Sequence, residues 1–157
     1  MTAYRTLLVP TDFSDYTHLA LDHAKALARA FSARIVLLHV IPEESRELLF
    51  RTAADGHVDD VETVFQKMIE ASQLQLEQLL SDMEEDRVKR LVLVGHPVLE
   101  IVNEARLEAA DLIVIPTHGR TGISHVLFGS VAEKVVRKAP CPVLVVRASA
   151  SSTSQGA

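Results

Sequence analysis

The stretch Leu7-Leu8-Val9-Pro10-Thr11-Asp12-Phe13-Ser14 decides the fold. An unbroken apolar run, with no polar residue between, suits a strand covered on both faces, as in a parallel sheet. The run stops in a polar turn, where Ser14 is placed to cap a helix. Ala20, Ala24, Leu27 and Phe31 follow at spacings of four, three and four, one stripe of that helix. Arg34 to Val40 then reads as a second buried strand around Ile35-Val36-Leu37-Leu38.

The alternation continues. Residues from Pro42 to about Gly56 lack a clear period and are expected to form a long loop with at most one helical turn. Val61, Val64, Phe65, Met68, Ser72, Leu76, Leu79 and Met83 mark a long amphipathic helix, with Asp59 and Asp60 at its electropositive start. Lys89 to Val94 is a third strand ending at Gly95. Pro97 is placed as the first residue of a helix carrying Val98, Ile101, Val102 and Ala105 on one face. Leu112-Ile113-Val114-Ile115 is a fourth strand, Gly129-Ser130 to Lys138 a helix, and Pro142 to Arg147 a fifth strand. The Ser-, Ala- and Gly-rich tail 148–157 is expected to be disordered, leaving one domain over 1–147.

Strand–helix alternation argues for an α/β fold, a parallel sheet with helices on both faces. Right-handed crossovers leave few topologies. The natural one is a five-stranded doubly wound, Rossmann-like sheet in the order 3-2-1-4-5. Ligands of such sheets bind beyond the carboxyl ends of the strands at the switch point. That gathers Pro10, Thr11 and Asp12, Val40, and the segment after Ile115 around one crevice.

Composition excludes several classes. The 157 residues are 48% hydrophobic and 24% charged, as in an ordinary globular protein, and carry a net charge of −5. With a pI near 5.8, nonspecific binding to nucleic acid is disfavoured. No apolar run approaches the roughly 20 residues that span a bilayer, and the N-terminus lacks a signal-peptide core. A single cysteine, Cys141, rules out an internal disulfide and fits a reducing cytoplasm.

The chemistry lies in Pro116-Thr117-His118-Gly119-Arg120-Thr121-Gly122-Ile123-Ser124-His125-Val126-Leu127-Phe128-Gly129-Ser130. The segment leaves a buried strand and enters a helix. Backbone amides at a helix start point outward, and the dipole favours anions. Glycine admits close approach to the backbone, Ser130 adds a hydroxyl and Arg120 a positive charge. These make a phosphate cradle; the plainer reading is that the glycines only shape a loop. Neither the P-loop nor the dinucleotide G-x-G-x-x-G pattern is present.

Gly119, nine residues, then Gly129-Ser130 resembles the G-x-x-G-x9-G-[ST] motif of the ATP-binding universal stress proteins. Val9-Pro10-Thr11-Asp12-Phe13-Ser14, Leu37-Leu38-His39-Val40, Gly95-His96-Pro97 and Pro140-Cys141-Pro142-Val143-Leu144-Val145-Val146 also look like that family. The resemblance spans about Tyr4 to Arg147. One position departs: Pro116 replaces the first glycine of the motif, so an amide contact is lost there while a carbonyl contact survives. The resemblance implies binding of ATP, ADP or AMP with Mg²⁺. Asp12 would meet the ribose or a metal–phosphate group. The Val40 backbone would meet the adenine edge, Ile115 and Pro116 the ribose side, and Gly119, Gly129, Ser130 and Val131 the triphosphate. It also implies a cytoplasmic stress-response protein, a homodimer through strand 143–147, and a regulatory protein partner.

Other features read more plainly. Asp12 serves equally as a turn residue. The seven histidines show no compact metal spacing. Cys141 reads as a packed small residue, and Ser124 and Ser130 lack a hydrolase elbow. Gly95-His96 after the third strand excludes a response-regulator receiver. Two further readings stay open: an adenylyl- or phosphoryl-transfer enzyme or slow ATPase, and a dimeric interaction module without ATP binding.

Overall fold

A computed structural model describes residues 4–54, 60–117 and 129–147. The elements are β1 (Thr6–Thr11), α1 (Thr17–Phe31), β2 (Arg34–Pro42), α2 (Glu43–Ala54), α3 (Val61–Leu79), a 3-10 turn (Glu85–Arg87), β3 (Val88–Gly95), α4 (Pro97–Leu107), β4 (Leu112–Pro116), α5 (Ser130–Lys138) and β5 (Val143–Val146). The five strands pair in parallel in the order β3-β2-β1-β4-β5. The expected doubly wound sheet is therefore the fold.

The unbroken apolar runs divide by parity between two cores. Leu7, Val9, Ile35, Leu37, Leu112 and Val114 pack against α1 and α3. Leu8, Val36, Leu38, Val40, Ile113 and Ile115 pack against α4 and α5. Each fully buried leucine contributes on the order of 1.5–3 kcal/mol. The buried face of α1 is mostly small, with Ala20, Leu21, Ala24 and Ala28 on the sheet. The predicted stripe is rotated from this: Phe31 is partly exposed and meets Tyr4 edge-to-face at 5.2 Å.

Four further expectations are corrected. The segment after Pro42 is a helix of 12 residues, α2, rather than a loop. It buries no residue, so its sequence carries no apolar period to read. It is held at Arg46, which pairs with Glu62 at 2.6 Å and lies over the rings of Phe50 and Phe65. Ser14 does not cap α1 by its side chain. The helix starts at Thr17, whose amide bonds the Ser14 carbonyl at 3.0 Å, because the preceding residues fold into a turn of their own. Met83 lies beyond the end of α3. β5 is shorter by a residue at each end than expected. Asp60 caps α3 as expected, accepting from the amides of Glu62 and Thr63; Asp59 and the tail 148–157 lie outside the described residues.

β1 is the central strand. It aligns with β2 along its whole length, from Thr6↔Arg34 to Thr11↔His39, but with β4 only at Leu7↔Leu112 and Leu8↔Ile113. The paired register of β1 and β4 thus stops short of their carboxyl ends.

Candidate functional site

The turn after β1 is built from its own polar side chains. Asp12 Oδ1 accepts from the Ser14 amide at 3.0 Å, an Asx turn. Thr11 Oγ1 accepts from the Phe13 amide at 3.0 Å and shares a hydrogen with Thr17 Oγ1 at 2.8 Å. Between these bonds Phe13 is held at φ 61°, left-handed backbone that a bulky residue rarely adopts. Its ring packs on His39 with centroids 4.3 Å apart. His39 is buried, and its Nδ1 donates to the Thr11 carbonyl at 2.8 Å, tying the end of β1 to β2.

After β4, Thr117 fixes the way into α5. Its amide donates to the Val146 carbonyl at 2.9 Å, and its carbonyl accepts from the Gly129 amide at 2.6 Å. Gly129 is the N-cap residue of α5, with no side-chain cap. Among the described residues no side chain caps the amides of the first turn, which is the condition for holding an anion. α4 likewise starts without a side-chain cap, behind His96, and Pro97 stands at its first turn as expected.

Between these elements lies a cavity of about 350 Å³. Nine of the eleven residues singled out in the sequence line it: Pro10, Thr11, Asp12, Val40, Ile115, Pro116, Gly129, Ser130 and Val131. Gly119 and Arg120, with His118, Gly122 and the rest of 118–128, lie outside the described residues. The wall facing α4 is apolar, from Leu38, Pro97 and Ile101. One side of the cavity is therefore fit for a flat apolar group, and the side at the start of α5 for an anion.

Sequence reasoning left out several lining residues. His39 and Thr117 are buried polar residues at strand ends, both engaged in main-chain bonds. Pro42 and Ile101 also line the cavity. Ile101 was readable as one turn beyond Pro97, on the helix face already counted as apolar. Cys141 packs against the α4–α5 core, and burial, with the Asp111 charge, pushes its thiol up. That agrees with a packing role. Among the described residues no helix is long and apolar enough to cross a membrane.

A profile of the "Universal stress protein family" matches residues 3–147. Universal stress protein MJ0577 of Methanocaldococcus jannaschii is 34% identical over 154 residues, covering 92% of this chain and 95% of that one. A solved structure of MJ0577 superposes with a TM-score of 0.80 at 33% identity, covering 94% and 99% of the two chains. A universal stress protein solved in complex with cAMP gives a TM-score of 0.65 at 26% identity, covering 94% and 100%.

Proposed function

Because the chain belongs to the universal stress protein family, we propose that it is an ATP-binding regulatory protein, in which bound nucleotide marks a state that partners read. The observation that carries this reading is the cavity at the carboxyl ends of β1, β2 and β4. It joins an apolar wall to the uncapped start of α5. A volume near 350 Å³ falls within the roughly 300–1,000 Å³ of small-molecule sites. The relative solved with cAMP, an adenine nucleotide, supports the ligand class.

In this reading the base lies between Val40 and the apolar wall, and the ribose lies beside Ile115 and Pro116. The phosphates meet the amides of Ser130 and Val131 and approach closely over Gly129, whose own amide is held by Thr117, with Gly119 and Arg120 assigned on the motif alone. Asp12 completes the site. Mg²⁺ is commonly held by one or two carboxylates together with substrate phosphates, so a single carboxylate at the strand end fits MgATP. The metal neutralises phosphate charge when bound. Asp12 holds its place through the Ser14 amide. We place the protein in the cytoplasm. We further propose a homodimer through 143–147, because β5 is an apolar edge strand whose outer side needs covering.

The test is direct. Freshly purified protein is denatured and the released nucleotide identified by chromatography. ATP or ADP near one per chain is expected. Absence of nucleotide, together with no thermal shift on adding MgATP, overturns the reading in favour of an interaction module. Steady-state phosphate release is expected far below the enzyme median of about 10 s⁻¹, since equal binding of ground and transition states gives affinity without rate. A rate above about 1 s⁻¹ in pure protein would make it an enzyme. Sedimentation of wild type as a monomer at high micromolar concentration would exclude the dimer.

A further inference from the structure

Among the described residues, three that are not glycine have left-handed backbone: Phe13, Ser32 and Ala109. Ser32 and Ala109 follow the ends of α1 and α4, where chains commonly leave a helix in that conformation. Phe13 ends no helix. It follows a strand, and a side chain on Cβ makes the left-handed region costly. Such strain persists only where the surroundings over-determine it, and it gathers at functional sites. The surroundings of Phe13 do this from two sides. Its own amide donates to Thr11 Oγ1, and the next amide, of Ser14, donates to Asp12 Oδ1. Its ring, partly buried against the α1 core, packs on the His39 ring with 36° between the planes. Strand alternation puts His39 on that same face of the sheet, with Ile35 and Leu37. The His39 ring is fixed in turn, since the Thr11 carbonyl can only accept and Nδ1 donates to it.

The residue before this strained one is Asp12, which lines the cavity. We infer that Phe13 and His39 are positioning residues: their ring stack pins the left-handed backbone at 13, and that backbone holds the Asp12 carboxylate in place at the cavity. The inference rests on the reading above, in which Asp12 meets the nucleotide. With right-handed or extended backbone at 13, the Ser14 amide would swing away from Asp12 Oδ1 and the carboxylate would lose its anchor. The strain therefore serves preorganisation, since Asp12 is oriented before a ligand arrives. Glycine would adopt the same φ without strain but without a side chain to fix it. The phenyl ring supplies that fixing, and His39 is the surface it is fixed against.

The experiment separates backbone conformation from packing. Phe13→Ala and Phe13→Gly lose the same ring, and glycine loses one carbon more. If Phe13 only packs, the glycine variant binds MgATP no better than the alanine variant. If Phe13 positions Asp12, alanine leaves the strained conformation and glycine keeps it. MgATP affinity, by titration calorimetry, should then fall at least tenfold in Phe13→Ala and stay within threefold of wild type in Phe13→Gly. His39→Leu should match the alanine variant, and adding Phe13→Gly to it should recover at least threefold. In an Asp12→Ala background Phe13→Ala should cost less than twofold, because the group it positions is gone. Equal affinities of the alanine and glycine variants, or a full tenfold loss without Asp12, overturn the proposal. Exchange of the Ser14 amide in nucleotide-free protein reads the turn itself. It should quicken at least tenfold in Phe13→Ala and in His39→Leu, and less than threefold in Phe13→Gly; unchanged exchange in Phe13→Ala overturns the proposal as well. If wild type binds no nucleotide, the functional reading falls, while the Ser14 amide still decides whether the stack holds the turn.

Discussion

The two ends of the sheet treat helix termini in opposite ways. At the end where β2 and β3 begin, three helix C-termini each meet a guanidinium. Arg87 donates to Ala28 and Ala33 at the end of α1, at 2.8 and 3.0 Å. Arg90 donates to Leu76 and Leu80 at the end of α3, both at 3.3 Å. Arg34 donates to the Glu108 carbonyl and pairs with its carboxylate at the end of α4. At the opposite end, α4 and α5 start beside the cavity without a side-chain cap, whereas α3, set apart from the cavity, carries Asp60. Helix dipoles are met by the protein's own cations at one end of the sheet and left for an external anion at the other, and α4 shows both. Stability and ligand binding are thereby assigned to opposite ends of the sheet.

The largest expected effect breaks the closed end. Arg87→Ala removes a guanidinium shared by two carbonyls and should destabilise the fold by about 2–3 kcal/mol, on the scale of hydrogen bonds to charged groups. Urea denaturation reads this, and nucleotide affinity should stay within twofold of wild type. A loss below about 0.5 kcal/mol would show that water caps α1 equally well.

Next, the open end can be closed. Gly129→Asp supplies α5 with the kind of cap that Asp60 gives α3. The nucleotide-free protein should gain a few tenths of a kcal/mol from the cap. ATP affinity should fall at least tenfold, about 1.4 kcal/mol, because a carboxylate occupies the anion's place. Retained affinity would move the phosphate site elsewhere.

A smaller effect sharpens the electrostatics of the closed end. Glu104 is buried on α4 beside Glu108, and burial first, then the Glu108 charge, raises its carboxyl above the ordinary 4.5. The Lys89 ammonium, bonded to Glu108, holds the Glu108 carboxyl lower instead. For a raised carboxyl the folded state binds the proton more tightly. Its contribution is full below the unfolded pKa and is lost as pH rises through the folded one. Glu104→Gln, which mimics the protonated form, should therefore gain on wild type as pH rises from 4 towards neutrality. Parallel urea curves at each pH check this; a constant difference would remove Glu104 from the account.

Much of this molecule was legible in the chain. The apolar runs gave five strands because both faces of each are covered, so no polar alternation obscured them. Pro97 and Gly129-Ser130 were legible as helix starts because their chemistry is local. α2 was not, because a helix that buries nothing leaves no period. The start of α1 was displaced because Thr11, Asp12 and Ser14, all good caps by type, are used inside the turn. At the candidate site, strand-end residues were legible from topology alone. His39 and Thr117 were not, because their part in the site is a main-chain bond across strands.

α2 follows β2 at the cavity side of the sheet, through Pro42, and shares no residue with either core. Substitutions at such surface positions change stability by about 0.5 kcal/mol or less. Apart from Arg46, which ties α2 to α3, the positions from Glu43 to Ala54 can therefore be rewritten without re-solving the packing problem that constrains the rest of the chain. Within this architecture they are the freest ground for divergence between paralogues, and the first place to graft a peptide tag or a reporter dye.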